Sequence, residues 1–479
     1  MPIRLLNAHF WLLVFSTTSV LPAAGQKQAA NWFFGNKAGL KFTESGVAST
    51  NEGELSQFEG CSSISDNNGN LLFYTDGITI YNRLHQPMPN GVGLLGSHTS
   101  TQTLIVPKPG VGHTFYVFTC LPNFDFIDPD SAGFRFSVVD MLLDGGLGNV
   151  SSKNHLLYTN STEKVTAVQH QNGKDIWVVS HEYGNNRFRS YLITEDGILP
   201  TPVVSALGTS HSGTPLLENA SGAMKLSPDG SKIALVLYQP KLVELFTFNS
   251  LTGSITGLIR SLPVYSPTGR CYGIEFSPDG NFVYFTAGPR SCGFNDSENP
   301  ALLFQYSIQS DRTTLLSSYA GSYNALQCGL DGKIYVSRCN DIIGTSDYVG
   351  VINYPHREGV GCEFQPEGVH LGAAGCEFGL PGFVQSNFLF EDPQIEMPNV
   401  FSPNGDQYNP VFKPFIVEGI LEASMMIVDR WGRPVFASNR IAEGWNGGNE
   451  SPGTYYWHLT YEGLNGKRGT MKGWVRLLR

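Results

Sequence analysis

Five stretches of this chain repeat one pattern at a nearly constant interval, and that interval limits the folds open to it. Residues 225–235 (KLSPDGSKIAL), 275–285 (EFSPDGNFVYF) and 327–336 (QCGLDGKIYV) each read as strand, tight turn, strand. Asp-Gly suits the turn because a central position needs positive φ, which glycine adopts without a Cβ clash; the residues beyond it are β-branched or aromatic. Looser copies lie at 64–74 (ISDNNGNLLFY) and 168–178 (VQHQNGKDIWV). The turn glycines Gly69, Gly173, Gly230, Gly280 and Gly332 are 104, 57, 50 and 52 residues apart. The first gap is two periods long, and 108–119 (KPGVGHTFYVFT) supplies the hidden copy, displaced early. Gly382, within 380–385 (LPGFVQ), falls 50 residues after Gly332 and marks a truncated seventh.

A period near 50 residues, with four short strands' worth of sequence per unit and no helical periodicity, predicts a β-propeller. Each unit is a sheet that must bury both faces against its neighbours, so the ring is stable only when closed. Closure is expected from the chain ends: 31–35 (NWFFG) and 39–42 (GLKF) supply strands missing from the unit around Gly382. The expected fold class is all-β, a seven-bladed β-propeller followed by a small Ig-like β-sandwich. The expected boundaries are 1–25 for a signal peptide, 26–392 for the ring and 393–479 for the C-terminal domain.

Composition agrees with that reading. Charged residues are only 15% of 479, while 54 Gly and 28 Pro imply many turns. A net charge of −10 argues against a wide cationic surface for a phosphate backbone, so no nucleic-acid partner is expected. Arg4, the apolar stretch 10–20 and the small-residue site Ala23-Ala24-Gly25 read as an export signal, too short in its apolar run to cross a bilayer. No later segment reaches that length, so no transmembrane segment is expected. Eight cysteines (Cys61, Cys120, Cys271, Cys292, Cys328, Cys339, Cys362, Cys376) in an exported chain suit disulfides, with Cys362–Cys376 the local favourite. They contain no CxxC, which argues against zinc.

The region after 393 carries no cysteine, and its last 14 residues hold five basic and no acidic side chains. Its motifs run in a fixed order: 398–406 (PNVFSPNGD), 429–432 (DRWG), 444–447 (GWNG), 452–456 (PGTYY) and 472–478 (KGWVRLL). This order resembles the gliding-motility-associated C-terminal domain of Bacteroidetes secreted proteins, a type-B sorting domain of the type IX secretion system. The resemblance implies an Ig-like module read by the export machinery, and a location that is secreted or on the outer cell surface, reached via the periplasm. The sorting-motif residues it implies are Asn399, Phe401, Pro403, Asn404, Gly405, Asp406, Arg430, Trp431, Gly432, Trp445, Gly453, Tyr455 and Gly473. Residues 68–77, 138–140 and 227–230 likewise resemble a propeller region often fused to that domain.

Physically, Asn404-Gly405-Asp406 permits a tight turn, and Trp431, Trp445 and Trp457 can fill a thin core. Asn404, Asp406 and Asn409 could instead offer oxygens to calcium, but one carboxylate without a distal Glu favours the turn. The strips 124–126 (FDF) and 455–457 (YYW) read as core rather than sugar platforms.

Catalytic signatures are absent: no GxSxG, no HExxH and no phosphate-cradling loop. His181 and Glu182, with His211 and His370, are the one candidate cluster near a channel mouth. No catalytic, metal or cofactor residue is therefore assigned. The functional expectation is a non-catalytic binding scaffold, its loops facing a glycan or protein partner. The alternative is an extracellular glycan lyase or hydrolase with its site in the channel.

Overall fold

The computed structural model describes residues 26–96, 103–122, 132–213, 220–265, 270–288, 300–340, 344–405 and 408–479. The expected signal peptide, Asp406, Cys292 and the 124–126 strip lie outside the described residues. No helix among those described is long and apolar enough to cross a membrane.

Six antiparallel sheets follow one another, each starting at the axis of a ring with the strand Cys61–Ser65, Thr103–Pro107, Ser161–Gln169, Met224–Leu226, Arg270–Phe276 or Ser322–Cys328. Each of these strands ends in a hairpin whose glycine has positive φ: Gly69, Gly110, Gly173, Gly230, Gly280 and Gly332, from 65° to 90°. Gly110 belongs to the displaced copy at 108–119. The glycine is not a central turn residue as the sequence suggested. Gly230 N–H donates to the Ser227 carbonyl at 2.9 Å, and Gly280 N–H to the Ser277 carbonyl at 2.8 Å. Glycine is thus the fourth residue of a type I turn, the left-handed position of a three-residue hairpin loop. The serine hydroxyls accept Lys232 N–H and Phe282 N–H, each at 2.9 Å. That is why SPDG recurs: proline sets the turn, serine staples it and glycine exits it.

The seventh sheet comes from the N-terminus: Asn31–Phe34, Ala38–Thr43 and Gly46–Thr50. It fills the gap between the sixth and first blades, with Trp32 edge-on to Tyr335 at 5.3 Å and Phe33 stacked on Tyr74 at 4.4 Å. The chain's later segment meets it. Trp32 lies 5.7 Å from Phe383, and Asn36 and Gly375 exchange backbone hydrogen bonds of 2.8 and 3.0 Å. The ring is therefore a closed seven-bladed β-propeller. Gly382 differs from its expected role as a turn glycine. Pro381–Gly382 pairs in parallel with Cys61–Ser62 of the first blade, because the N-terminal strands already occupy the place of a following hairpin partner.

Close approaches in the ring leave no room at two glycines. A Cβ on Gly273 would stand 2.0 Å from the Asn324 carbonyl oxygen, and one on Gly379 would stand 1.6 Å from the Glu59 carbonyl oxygen. Cys61, Cys120, Cys271, Cys328, Cys362 and Cys376 are free, buried thiols, so the expected Cys362–Cys376 bridge is not formed. The seven-residue strand Phe364–His370 runs between the two cysteines and holds them apart by roughly 20 Å of extended chain.

The C-terminal domain is a five-stranded sheet, in the order Val400–Phe401, Arg468–Leu477, Gly453–Gly463, Ile420–Val428, Pro434–Ser438, with the small ribbon Gln394–Glu396 and Ile416–Glu418. Phe401, Phe412, Trp445, Trp457 and Leu459 form its core. Trp431 does not join them. It is 81% exposed, because the Asp429–Arg433 turn that carries it has no element packed over it.

Two carboxylates, Glu462 and Glu422, reach from this domain to the ring. Buried Glu462 is paired with His356 and Arg357 of the sixth blade and, at 3.1 Å, with Arg468 of its own sheet. Arg357 also holds Glu422 at 2.7 Å and lies 3.6 Å over the Tyr354 ring. Hydrogen bonds from Arg357, Arg468 and His356 hold the Glu462 carboxyl at about 2, against the opposing effect of burial.

Two outcomes are expected. Gly379→Ala should lower the ring's unfolding free energy by about 3 kcal/mol, since backbone cannot retreat from backbone. Gly112→Ala, with nothing within 4 Å of its Cβ, should be near neutral in the same urea titration. Glu462→Gln should leave both cores folded yet speed proteolytic cutting at 391–394, because the partly buried Arg357 guanidinium loses a counter-charge across the junction. Unchanged cutting would show that the link is held by other contacts.

Candidate functional site

The first strands of the blades enter from the loop face and leave at the hairpin face. Near their loop-face ends, three carry bulges. Ser161 faces Glu182 and Val165 faces Ser180, so two extra residues are squeezed out at Thr162–Lys164. Between Cys271 and Ile274, and between Tyr323 and Leu326, one extra residue appears. A bulge re-aims side chains and loosens pairing. Here the bulges gather Glu163, Lys164, Tyr272 and Asn324 into a buried polar layer.

Glu163 accepts the Ser221 hydroxyl at 3.1 Å. Lys164 is fully buried and donates to the carbonyls of Ser221 at 2.7 Å and Ala220 at 3.3 Å. Burial pulls its ammonium well below the usual lysine range, and the neighbouring Glu163 opposes this. Burial, then the charge of Glu163, pushes the Glu59 carboxyl well up. The Tyr272 phenol is raised by burial and then by the charges of Glu59 and Glu163, and its buried hydroxyl lies beside the Glu59 carboxyl.

The expected histidine cluster forms in part. His181 and His211 are both 1% exposed, with ring centroids 3.8 Å apart. His181 Nδ1 lies 2.6 Å from the Glu182 carbonyl, while His181 Nε2 has no hydrogen-bond partner among the described residues. Glu182 is engaged elsewhere, by Arg189 at 2.5 Å and Asn185 at 2.6 Å. His370 does not take part. It lies on the outermost strand of the sixth blade, 3.6 Å from Asp347, because Phe364–His370 is a rim strand rather than an axial one. Burial, then the Lys164 charge, pulls His181 down to about 3; burial, then His181 and Lys164, lowers His211.

Below this layer the channel narrows. A cavity of about 30 Å³ is lined by Cys61, Leu104, Val165, Met224, Leu326 and Phe383. That is room for a water molecule or two. Lys225 lies 3.1 Å from Glu275 and donates to Gln327, and Glu275 also accepts Phe276 N–H at 3.0 Å. The channel interior is thus internally paired. On the hairpin face a cleft of about 840 Å³ opens between the 66–68, 108–112 and 173–174 turns, floored by Phe115, Ile176 and Val384.

The C-terminal motif residues occupy separate places. Phe401, Trp445 and Tyr455 are core, with the Tyr455 hydroxyl on the Ser451 carbonyl at 2.7 Å. Gly473 is required because the Trp457 ring lies 2.6 Å from where its Cβ would be. Gly405 and Gly432 take positive φ in turns, Gly453 opens a strand opposite Leu477, and Asn399 accepts Arg476 N–H at 2.9 Å. Arg430 lies over Trp431 at 5.1 Å, while Pro403 and Asn404 sit in the first loop. Among the described residues, no three His, Cys, Asp or Glu side chains are grouped to hold a metal. The sequence missed Glu59, Glu163, Lys164 and Tyr272; the bulges that unite them leave no mark in a residue pattern.

Fold and site define a β-propeller joined to a small β-domain, and the comparisons make the second part specific. Residues 395–477 match the CHU_C Type IX secretion signal domain, which marks the chain for secretion or the outer surface. No curated protein matches. Among solved structures, a candidate 6-phosphogluconolactonase from Bacteroides uniformis is 14% identical, covering 73% of this chain and 98% of its own, with a TM-score of 0.44. The periplasmic gluconolactonase of Pseudomonas aeruginosa is 12% identical over 93% and 96%, TM-score 0.34. The Cps50 (Swd1) β-propeller domain of Myceliophteria thermophila is 10% identical over 65% and 94%, TM-score 0.37. Likeness at this level carries nothing about activity.

The two neutral imidazoles give a pH dependence of known sign. In the unfolded chain they take up protons below about pH 6.5, whereas the folded ring keeps them neutral. Stability is therefore unaffected above that pH and falls as the pH drops through it. Between pH 6.5 and 5.5 each should cost about 1 kcal/mol. Urea titrations of His211→Phe should show less acid sensitivity by that amount; an unchanged slope would mean His211 is charged in the fold.

Proposed function

We propose that this chain is an exported scaffold whose ring presents loops to a glycan or protein partner, while its C-terminal domain directs type IX secretion. On this reading the chain divides into a leader at 1–25, the ring at 26–392 and the signal domain at 393–479. The motif residues from Asn399 to Gly473 act by fixing the signal domain's core and turns. The observation that supports a binding role is the filled channel. Among the described residues, a void of about 30 Å³ and the Lys225–Glu275–Gln327 network fill the axis. The open concave surface at the hairpin face, lined by Asp66, Asn68, Lys108 and Lys174, has the volume of a small-ligand site.

One observation favours an enzyme instead. Glu59 and Tyr272, whose proton affinities burial raises, lie beside Glu163 and resemble an acid–base set.

A glycan array with the purified mature chain separates the two. Binding without turnover, weakened about tenfold by joint Lys108→Glu and Lys174→Glu and untouched by Glu163→Gln, is expected. Glycan cleavage abolished by Glu163→Gln would replace the scaffold reading with the enzyme. Deletion of 395–479 should leave a folded ring in the periplasm; normal arrival at the surface would overturn the sorting role.

A further inference from the structure

The C-terminal sheet buries one face and leaves the other bare, and the bare face has a distinct chemistry. Tyr455, Trp457, Leu459 and Val475 point into the core, so Tyr456, His458, Lys472 and Trp474 point outward. The register sets Tyr456 opposite Trp474, His458 opposite Lys472 and Thr454 opposite Arg476. Met426 completes the His458 row. Tyr456 is 49% exposed and Trp474 51%, which places two large rings side by side in solvent.

Charge on this face is divided, with Glu422 and Glu462 at the end nearest the ring and cations at the other. The outward positions 424, 426 and 428, 454 to 460, and 470 to 476 hold no carboxylate. Lys472 and Arg476 have no acidic partner among the described residues. The nearest acids are already spent: Glu422 and Glu462 on Arg357, and Asp429 and Glu450 on Arg433 at 3.0 and 2.9 Å. A chain of net charge −10 thus keeps a bare cationic and aromatic plane on its signal domain.

We propose that this plane, with Tyr456 and Trp474 flanked by Lys472, His458 and Arg476, docks an acidic polysaccharide. Aromatic faces stack on the C–H faces of sugar rings, and cations at strand spacing meet carboxylates repeated along a polymer. A peptide strand is less well served, because the plane is a sheet face whose backbone groups are already paired; addition of a strand needs an edge. The site is separate from the hairpin-face cleft, so its test does not depend on the ring's ligand.

The test is affinity electrophoresis of the full mature chain through gels containing polygalacturonate, at about 50 mM salt, where surface charge is little screened. Retardation is expected, with affinity reduced about tenfold by Trp474→Ala and by the double change Lys472→Glu, Arg476→Glu, and retained by Trp474→Phe. These side chains are solvent-facing, and an unchanged urea midpoint confirms that each variant is folded. Equal retardation of wild type and both weakened variants would overturn the proposal. So would equal binding of uncharged dextran, which removes the role of charge, or of polyglutamate or anionic phospholipid vesicles, which assigns the plane to another partner.

Discussion

The fold depends on one closure, the exchange of two backbone hydrogen bonds between Asn36 and Gly375 with Trp32 seated near Phe383. A blade has two apolar faces and can bury both only if every neighbour is present. Joining segments more than 300 residues apart costs about 5 kcal/mol of chain entropy, a cost that grows only logarithmically with length. Burying Trp32, Phe33, Phe34 and Phe383 returns about 2 to 3 kcal/mol each against that cost. The same logic explains why the N-terminal sheet has only three strands: the later segment supplies the contacts nearest the axis.

Closure also shapes the axis. Strands from the blades converge there, and a regular pleat would leave apolar side chains facing one another along the channel. The lower channel does this, with Val165, Met224 and Leu326 around a narrow void. At the loop face the bulges at Thr162–Lys164, Tyr272–Gly273 and Asn324–Ala325 break the pleat and turn polar groups inward. Gly273 permits it, since any side chain there would strike the next blade's backbone. A polar layer over an apolar plug follows from geometry, and the strained proton affinities of Glu59, Lys164 and His181 follow from burying that layer.

What could be read from the residues alone is what repeats. SPDG and its variants code for a local turn, so the six hairpins and their spacing were legible, and the spacing implied seven units. The identity of the N-terminal closing strands followed from counting what the last unit lacked. Gly382 misled because periodicity locates a residue without saying which neighbour it pairs with, and the pairing was decided by strands arriving from the other end. His181 and His211 met because each lies at the loop-face end of the third blade; His370 shares no such position. Cys362 and Cys376 looked close in sequence, but an extended strand between them converts nearness along the chain into distance. Trp431 was assigned to the core by its size, whereas an unpacked turn gives it nowhere to go.

The C-terminal domain shows how a small sheet can do two jobs at once. Its inner face holds Phe401, Trp445 and Trp457 and makes the domain a folding unit. The end of the sheet nearest the ring carries the acids Glu422 and Glu462, and Arg357 pairs with both across the junction. Removing those acids from the balance leaves the outer plane with cations alone. The latch and the plane are therefore one electrostatic arrangement: the ring draws the negative charge of this sheet to the junction, and what remains facing solvent is positive and aromatic. Tyr456 and Trp474, half-exposed and paired across the strands, serve the sheet through the contact they share and leave their outer faces open to a ligand.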